Sequence, residues 1–146
     1  MKKLCLIGIF TLIAYCFAGA QEIGIRFGGT NGGGGAAIDG VFGTKIGRVH
    51  ADLGFYHGGM GIDALWNFLY KPLSTEAFNW YLGVGPTLTI GDSFWLGVAG
   101  EAGLEYKFNS VPISMGLDWR PTFWIVEETR FGADSFGFNI RYRFGE

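Results

Sequence analysis

The chain is poor in cysteine, proline, histidine and charge, and beyond its first twenty residues it has no long apolar run. Each scarcity excludes something. The two cysteines, Cys5 and Cys16, both lie in the N-terminal apolar stretch. The rest of the chain therefore offers no disulfide framework and no thiolate metal site. Two histidines, His50 and His57, leave little for an imidazole-based centre, and no metal site or cofactor is expected. Charged residues make up 16% of the sequence. With Lys2 and Lys3 set aside, nine basic residues stand against thirteen acidic ones, a formal charge of −4 that gives no basis for nucleic-acid binding. Mean hydropathy is nevertheless positive, at +0.25. No stretch after Ala20 approaches the ~18 apolar residues of a helical span. An apolar chain without such spans can cross a bilayer only as a closed barrel, because closure alone satisfies every backbone group in lipid.

What is present begins with an export signal. Lys2 and Lys3 form a basic head, Leu4 to Phe17 an apolar segment, and Ala18-Gly19-Ala20 a small-residue site. This order predicts a signal peptide over residues 1–20, cleaved so that the mature domain, 21–146, starts at Gln21. A lipoprotein signal ending at Cys16 would need a small residue before the cysteine, and Tyr15 stands there.

From Gln21 onward the sequence alternates with a period of two. Phe94, Leu96, Val98, Gly100, Ala102, Leu104, Tyr106 and Phe108 share one face, while Trp95, Gly97, Ala99, Glu101, Gly103, Glu105 and Lys107 share the other. Phe136, Phe138, Ile140, Tyr142 and Phe144 oppose Gly137, Asn139, Arg141 and Arg143 in the same way. The pattern predicts eight strands, over residues 22–28, 36–42, 48–56, 61–73, 79–90, 94–108, 111–126 and 135–144. Turn residues fill the gaps: Gly28 to Gly35, Gly43 to Gly47, His57-Gly58-Gly59, Ser74 to Ala77, Gly91-Asp92-Ser93, Asn109-Ser110 and Glu127 to Gly132. Pro86 and Pro121 fall within strands, each removing a ladder donor, so local distortion is expected at both.

Alternation alone does not say which face is buried. The charges decide. Arg26, Asp39, Arg48, Asp52, Asp63, Lys71, Glu101, Glu105, Lys107, Asp118, Arg120, Arg141 and Arg143 fall on one face, with His50 among them. The others, Glu22 included, fall at turns, loops or termini. The strands are long enough for a tilted crossing of ~9–11 residues. The charged face is studded with glycine, which a narrow barrel needs beside its arginines. Aromatic residues gather near strand ends, with Tyr70, Trp80, Tyr106 and Phe144 at one rim and Phe55, Phe94, Phe123 and Phe136 at the other, like the girdles of a membrane barrel. The expectation is an all-β, eight-stranded, antiparallel up-and-down transmembrane β-barrel with lipid outside and charges inside. A soluble secreted lipid-binding barrel is the reverse arrangement.

Over nearly the whole mature chain the pattern resembles the OmpA/OmpX-like outer-membrane β-barrel proteins of diderm bacteria. The runs that carry it are Gly103-Leu104-Glu105-Tyr106-Lys107-Phe108, Pro112-Ile113-Ser114, Gly116-Leu117-Asp118-Trp119-Arg120-Pro121 and the closing Gly137 to Phe144. The last looks like the terminal strand read by the barrel-insertion machinery, although Gly145 and Glu146 follow the aromatic residue on which such proteins usually end. The resemblance implies residence in the outer membrane, with outer-membrane lipid and that machinery as partners. It also implies periplasmic termini, with Gly28–Gly35, His57–Gly59, Gly91–Ser93 and Glu127–Asp134 outside. It implies no activity.

Seven basic and six acidic residues of the inward face should pair, because an unpaired buried ion is costly. The charges are expected to form a structural plug, with a selective pore as the functional alternative, inside a non-enzymatic barrel that has a structural or surface-interaction role and room for an unidentified surface or membrane partner. A lipid-A-modifying acyl enzyme is the second reading, for which His57 with Asp92-Ser93 supplies the residue types without a visible oriented base. Gly28–Gly35 carries no Lys-Ser/Thr and opens no helix, so it is not a phosphate loop.

Overall fold

A computed structural model describes residues 1–30, 33–56, 58–126, 129–133 and 135–144. Helix α1, Lys2–Phe17, is the apolar N-terminal segment, and no described helix is long and apolar enough to cross a membrane. Everything after it is antiparallel sheet. The strands are β1 (Glu22–Thr30), β2 (Gly33–Thr44), β3 (Gly47–Tyr56), β4 (Gly59–Leu73), β5 (Thr75–Gly91), β6 (Phe94–Lys107), β7 (Ile113–Trp119), β8 (Thr122–Trp124), β9 (Arg130–Gly132) and β10 (Phe136–Arg143). Successive strands pair from β1 to β7, β8 pairs with β6 and β9, β10 pairs with β7, and β1 also pairs with β10, from Glu22 opposite Arg143 to Gly28 opposite Gly137. That pairing closes the sheet, and the chain is an eight-stranded up-and-down barrel.

Ten segments make eight staves because two staves are interrupted. β7 and β8 are one stave, since both pair with β6 in a single unbroken register, Ala102 opposite Trp119 and Ala99 opposite Thr122. The interruption is Arg120-Pro121, where proline has no N–H to give. Pro121 still accepts, its carbonyl taking the Gly100 N–H at 2.8 Å. β9 and β10 form the facing stave. Between the Thr122–Gly132 and Trp119–Phe136 pairs it carries one residue more than its partner, the signature of a bulge. Pro86 is milder: the β4–β5 ladder has a gap opposite Gly85-Pro86, but the register on either side is unchanged.

A second bulge corrects the sequence reading. In β4, Asn67 pairs with Gly83 and Leu69 with Leu82, so Phe68 is an extra residue. One extra residue reverses inside and outside for everything after it. Lys71, expected on the charged inner face, is exposed on the outside beside Trp80. Tyr70, expected in an outer girdle, turns inward, where the Arg48 guanidinium lies 4.0 Å from its ring centroid.

Turns obey local chemistry. Gly47 and Gly58 adopt φ of +133° and +100°, which favour glycine. Thr44 Oγ1 accepts from the Ile46 N–H at 3.3 Å and donates to the Gly47 carbonyl at 2.7 Å, tying the β2–β3 turn. The end of the barrel that holds Glu22 and Arg143 is called proximal below, and the end carrying the Gly58 and Asp92 turns distal.

The side chains divide sharply between faces. Outside, Ile25, Phe27, Ile62, Val84, Val98, Leu104, Leu117 and Ile140 are exposed, with Phe55, Phe94, Phe123, Phe136 and Phe144 toward the ends. Tyr106 meets Phe78 and Phe108 at ring separations of 4.8 Å, and Tyr142 meets Phe144 at 4.9 Å, near the proximal end. Inside, Arg26, Asp39, His50, Asp52, Asn67, Glu101, Glu105, Asp118, Arg120, Asn139 and Arg141 are buried.

Candidate functional site: a charge column along the barrel axis

Seven of the eight staves contribute charged or amide side chains to one column, and β5 adds Thr87, because period-two alternation points each alternate residue at the axis. β1 supplies Glu22 and Arg26, β2 Asp39, and β3 Arg48, His50 and Asp52. β4 supplies Asp63 and Asn67, β6 Glu101 and Glu105, the β7–β8 stave Asp118 and Arg120, and β10 Asn139 and Arg141.

At the proximal end Arg48 meets Glu105 at 2.9 Å and Glu22 at 3.8 Å. Its Nε donates to Asn67 Oδ1 at 3.0 Å, and Asn67 Nδ2 donates to Glu101 Oε2 at 2.8 Å. Glu105 also meets Arg141 at 3.3 Å, and Arg141 reaches Asp39 at 3.0 Å. In the middle His50 lies between two carboxylates, Nε2 2.5 Å from Asp39 Oδ1 and Nδ1 2.7 Å from Glu101 Oε1. Each ring nitrogen thus faces a carboxylate oxygen, with Arg141 Nη1 3.3 Å from Nε2 and Arg120 Nη2 3.4 Å from Nδ1. Beyond it Arg120 contacts Asp52 at 2.5 Å, Glu101 at 2.9 Å, Asp63 at 3.1 Å and Asp118 at 3.6 Å. Thr87 Oγ1 donates to Asp63. Arg26 closes the column on Asp118, Nη2 to Oδ1 at 2.5 Å, with Nε donating to both carboxylate oxygens at 3.0 and 3.2 Å.

Followed from contact to contact, Arg48, Glu105, Arg141, Asp39, His50, Glu101, Arg120, Asp118 and Arg26 alternate basic and acidic groups, which compensates their burial. Asp39, Asp52 and Asp63 are direct cross-strand neighbours, and Arg141 and Arg120 hold that acidic row.

The sequence-predicted residues separate accordingly. Arg26, Asp39, Arg48, His50, Asp52, Asp63, Glu101, Glu105, Asp118, Arg120 and Arg141 are brought together. Lys107 lies at the proximal mouth, its ammonium 5.4 Å from the Tyr70 ring. Arg143 donates to the carbonyls of Phe108 and Val111 at 2.6 and 3.2 Å, bracing the turn between β6 and β7. Lys71 is outside. Glu22, assigned by sequence to the terminus, is buried inside and accepts from Ser114 Oγ at 2.9 Å. Its parity with Gly24 and Arg26 was the available signal. With Glu22 in and Lys71 out, seven carboxylates face six Lys and Arg side chains, with His50 among them.

Glycines make room for the column. A Cβ on Gly137 would collide with the Arg26 guanidinium, and one on Gly103 with the Tyr81 ring, itself fully buried.

Asp39, His50 and Asp52 place ligand-type atoms within 4.8 Å of one another. Asp39 is already bound to Arg141 and Asp52 to Arg120, so a metal dication there would confront two guanidiniums. The arrangement can hold charge and fill space. Asp92 and Ser93 are exposed in the β5–β6 turn, where the Asp92 N–H donates to the Gly58 carbonyl at 3.2 Å. His57, the third member of the proposed acyl-transfer set, lies outside the described residues, as do Asn31, Gly32, Glu127, Glu128, Asp134, Gly145 and Glu146 from the expected outer loops and C-terminus.

No protein-family model matches the chain, and no curated protein matches it.

Proposed function

We propose that the chain is an integral outer-membrane β-barrel of the OmpA/OmpX-like kind, exported by residues 1–20, with a structural or surface-interaction role and a closed lumen. The observation that carries this reading is the inversion of polarity. Buried ions line the inside of the barrel, while leucine, isoleucine, valine and phenylalanine are exposed around its outside. In water that exterior would be a liability far beyond the few hundred Å² of apolar patch usual for a soluble monomer. In lipid it is the required solvent-facing surface. The outward Lys71 fits as well, lying near the end of β4 and clear of the middle of the belt.

The lumen argues against the soluble lipid-binding alternative, since a barrel axis occupied by alternating ions gives an acyl chain no apolar home. It also favours a plug over a pore, because the side chains that would select an ion are engaged with one another. Fractionation tests location: the protein should be found in outer membranes, begin at Gln21 and run as a compact band on unheated gels. Recovery from the soluble periplasmic fraction would contradict the proposal.

The acyl-enzyme reading has its own test. If the barrel modified lipid A, expression would shift lipid A mass by one acyl chain and Ser93→Ala would abolish the shift. The plug reading predicts no shift.

A further inference from the structure

The distal mouth of the lumen holds a cavity of about 240 Å³ above the Arg120 layer. Its walls combine carboxylates with two tryptophans, a pairing the column itself does not use. Trp95 and Trp124 meet edge to face, ring centroids 5.9 Å apart at 72°. Asp52 and Asp63 line the floor and Asp92 the rim.

Three observations define what this cavity suits. The first is charge. Arg26 is committed to Asp118, and Arg120 is divided among Asp52, Asp63, Glu101 and Asp118. Counting Asp92 and Arg130, the distal section holds four carboxylates, those of Asp52, Asp63, Asp92 and Asp118, against three guanidiniums, an excess that attracts cations. The second is unmet hydrogen bonding. Asp52 Oδ1 has no hydrogen-bond donor although its side chain is only 3% exposed. Such a group gains from any ligand that brings a partner. The third is direct. The chain already seats a cation on this aromatic surface, with the Arg130 guanidinium 5.4 Å from the Trp95 ring centroid.

We infer that the distal mouth binds a small organic cation, a guanidinium or primary ammonium group that stacks on Trp95 and donates to the aspartates. Arg130 occupies the same face from the β9 side, so an incoming cation competes with it. The site ends blind on the ion column, which makes it a receptor pocket and not the entrance to a channel. The inference rests on the cavity and its side chains, and it holds whichever membrane, if any, surrounds the barrel.

The test is calorimetric titration of arginine methyl ester, with glucose as a neutral polyol control, into the full mature barrel folded in an uncharged polyoxyethylene detergent. One saturable site per barrel is expected for the cation, and none for glucose. Asp52→Asn disturbs the Arg120 layer and can fail to fold, so the variants are Asp92→Asn, on an exposed turn, and Trp95→Leu, half-buried at the mouth, each confirmed folded by its unheated gel band. Each should weaken binding, Trp95→Leu by about three- to fivefold for a lost cation–π contact, and Arg130→Ala should strengthen it. Absence of saturable binding, binding that neither Asp92→Asn nor Trp95→Leu weakens, or saturable glucose binding would each overturn the proposal.

Discussion

Glu105 shows what one side chain carries. It neutralises Arg48 at 2.9 Å and Arg141 at 3.3 Å, so Glu105→Ala takes a carboxylate from two guanidiniums at once and leaves Arg48 with Glu22 at 3.8 Å and Arg141 with Asp39 at 3.0 Å. Breaking a buried pair by removing one partner typically costs ~3–5 kcal/mol, less where water enters from the proximal mouth. The urea midpoint for unfolding from detergent should fall accordingly. Lys71→Ala provides the contrast. Lys71 is exposed, so the change should stay within about 0.5 kcal/mol; a loss comparable to that of Glu105→Ala would return Lys71 to the lumen. Gly103→Ala would push against the buried Tyr81 ring, and overpacking of this kind costs ~1–3 kcal/mol. At this scale the sequence was informative wherever parity ran unbroken. Arg26, Glu101 and Arg141 were placed by counting in twos. Asn139 was placed beside Arg141 by the same alternation, whereas Asn67 and Ser114 lie in the column too, but as uncharged residues they gave no signal against lumen-facing glycine and alanine.

The elements were legible because each stave is long and both its faces have work to do. All eight segments could be drawn from alternation, but two connections were drawn too long: β1 runs on to Thr30 and β2 starts at Gly33 within the expected Gly28–Gly35 turn, and Arg130–Gly132, read as part of a loop, is strand β9 paired with β8. What could not be drawn was the bulge at Phe68. Its neighbours Asn67 and Leu69 continue to read as a strand in either phase, and only the register against β5 exposes the extra residue. That single insertion accounts for the misplacement of both Lys71 and Tyr70. The break at Arg120-Pro121 was foreshadowed by the proline, whereas the compensating bulge before β10 was not. The outward assignment of a stave can be tested at Leu117, 58% exposed and flanked by Leu104 and Phe138. Leu117→Arg would place a charge on the proposed lipid face and should cost roughly 2–4 kcal/mol near the midplane. Equal stability of variant and parent in lipid would refute that assignment.

On the scale of the whole molecule the barrel is a sheet closed on a column of ions and faced with apolar side chains. The column predicts electrical silence: purified barrel in a planar bilayer should show no steady conductance, and a large ion-selective current would make it a channel. The exterior makes the more basic claim, that this fold needs lipid to exist. The direct measurement is refolding of residues 21–146 from urea, with and without phospholipid vesicles, followed by circular dichroism and gel mobility. Native β-structure and the compact unheated band should form only with vesicles, and dilution into buffer alone should give aggregate. Cooperative folding to a soluble monomer in plain buffer would contradict the account at its centre.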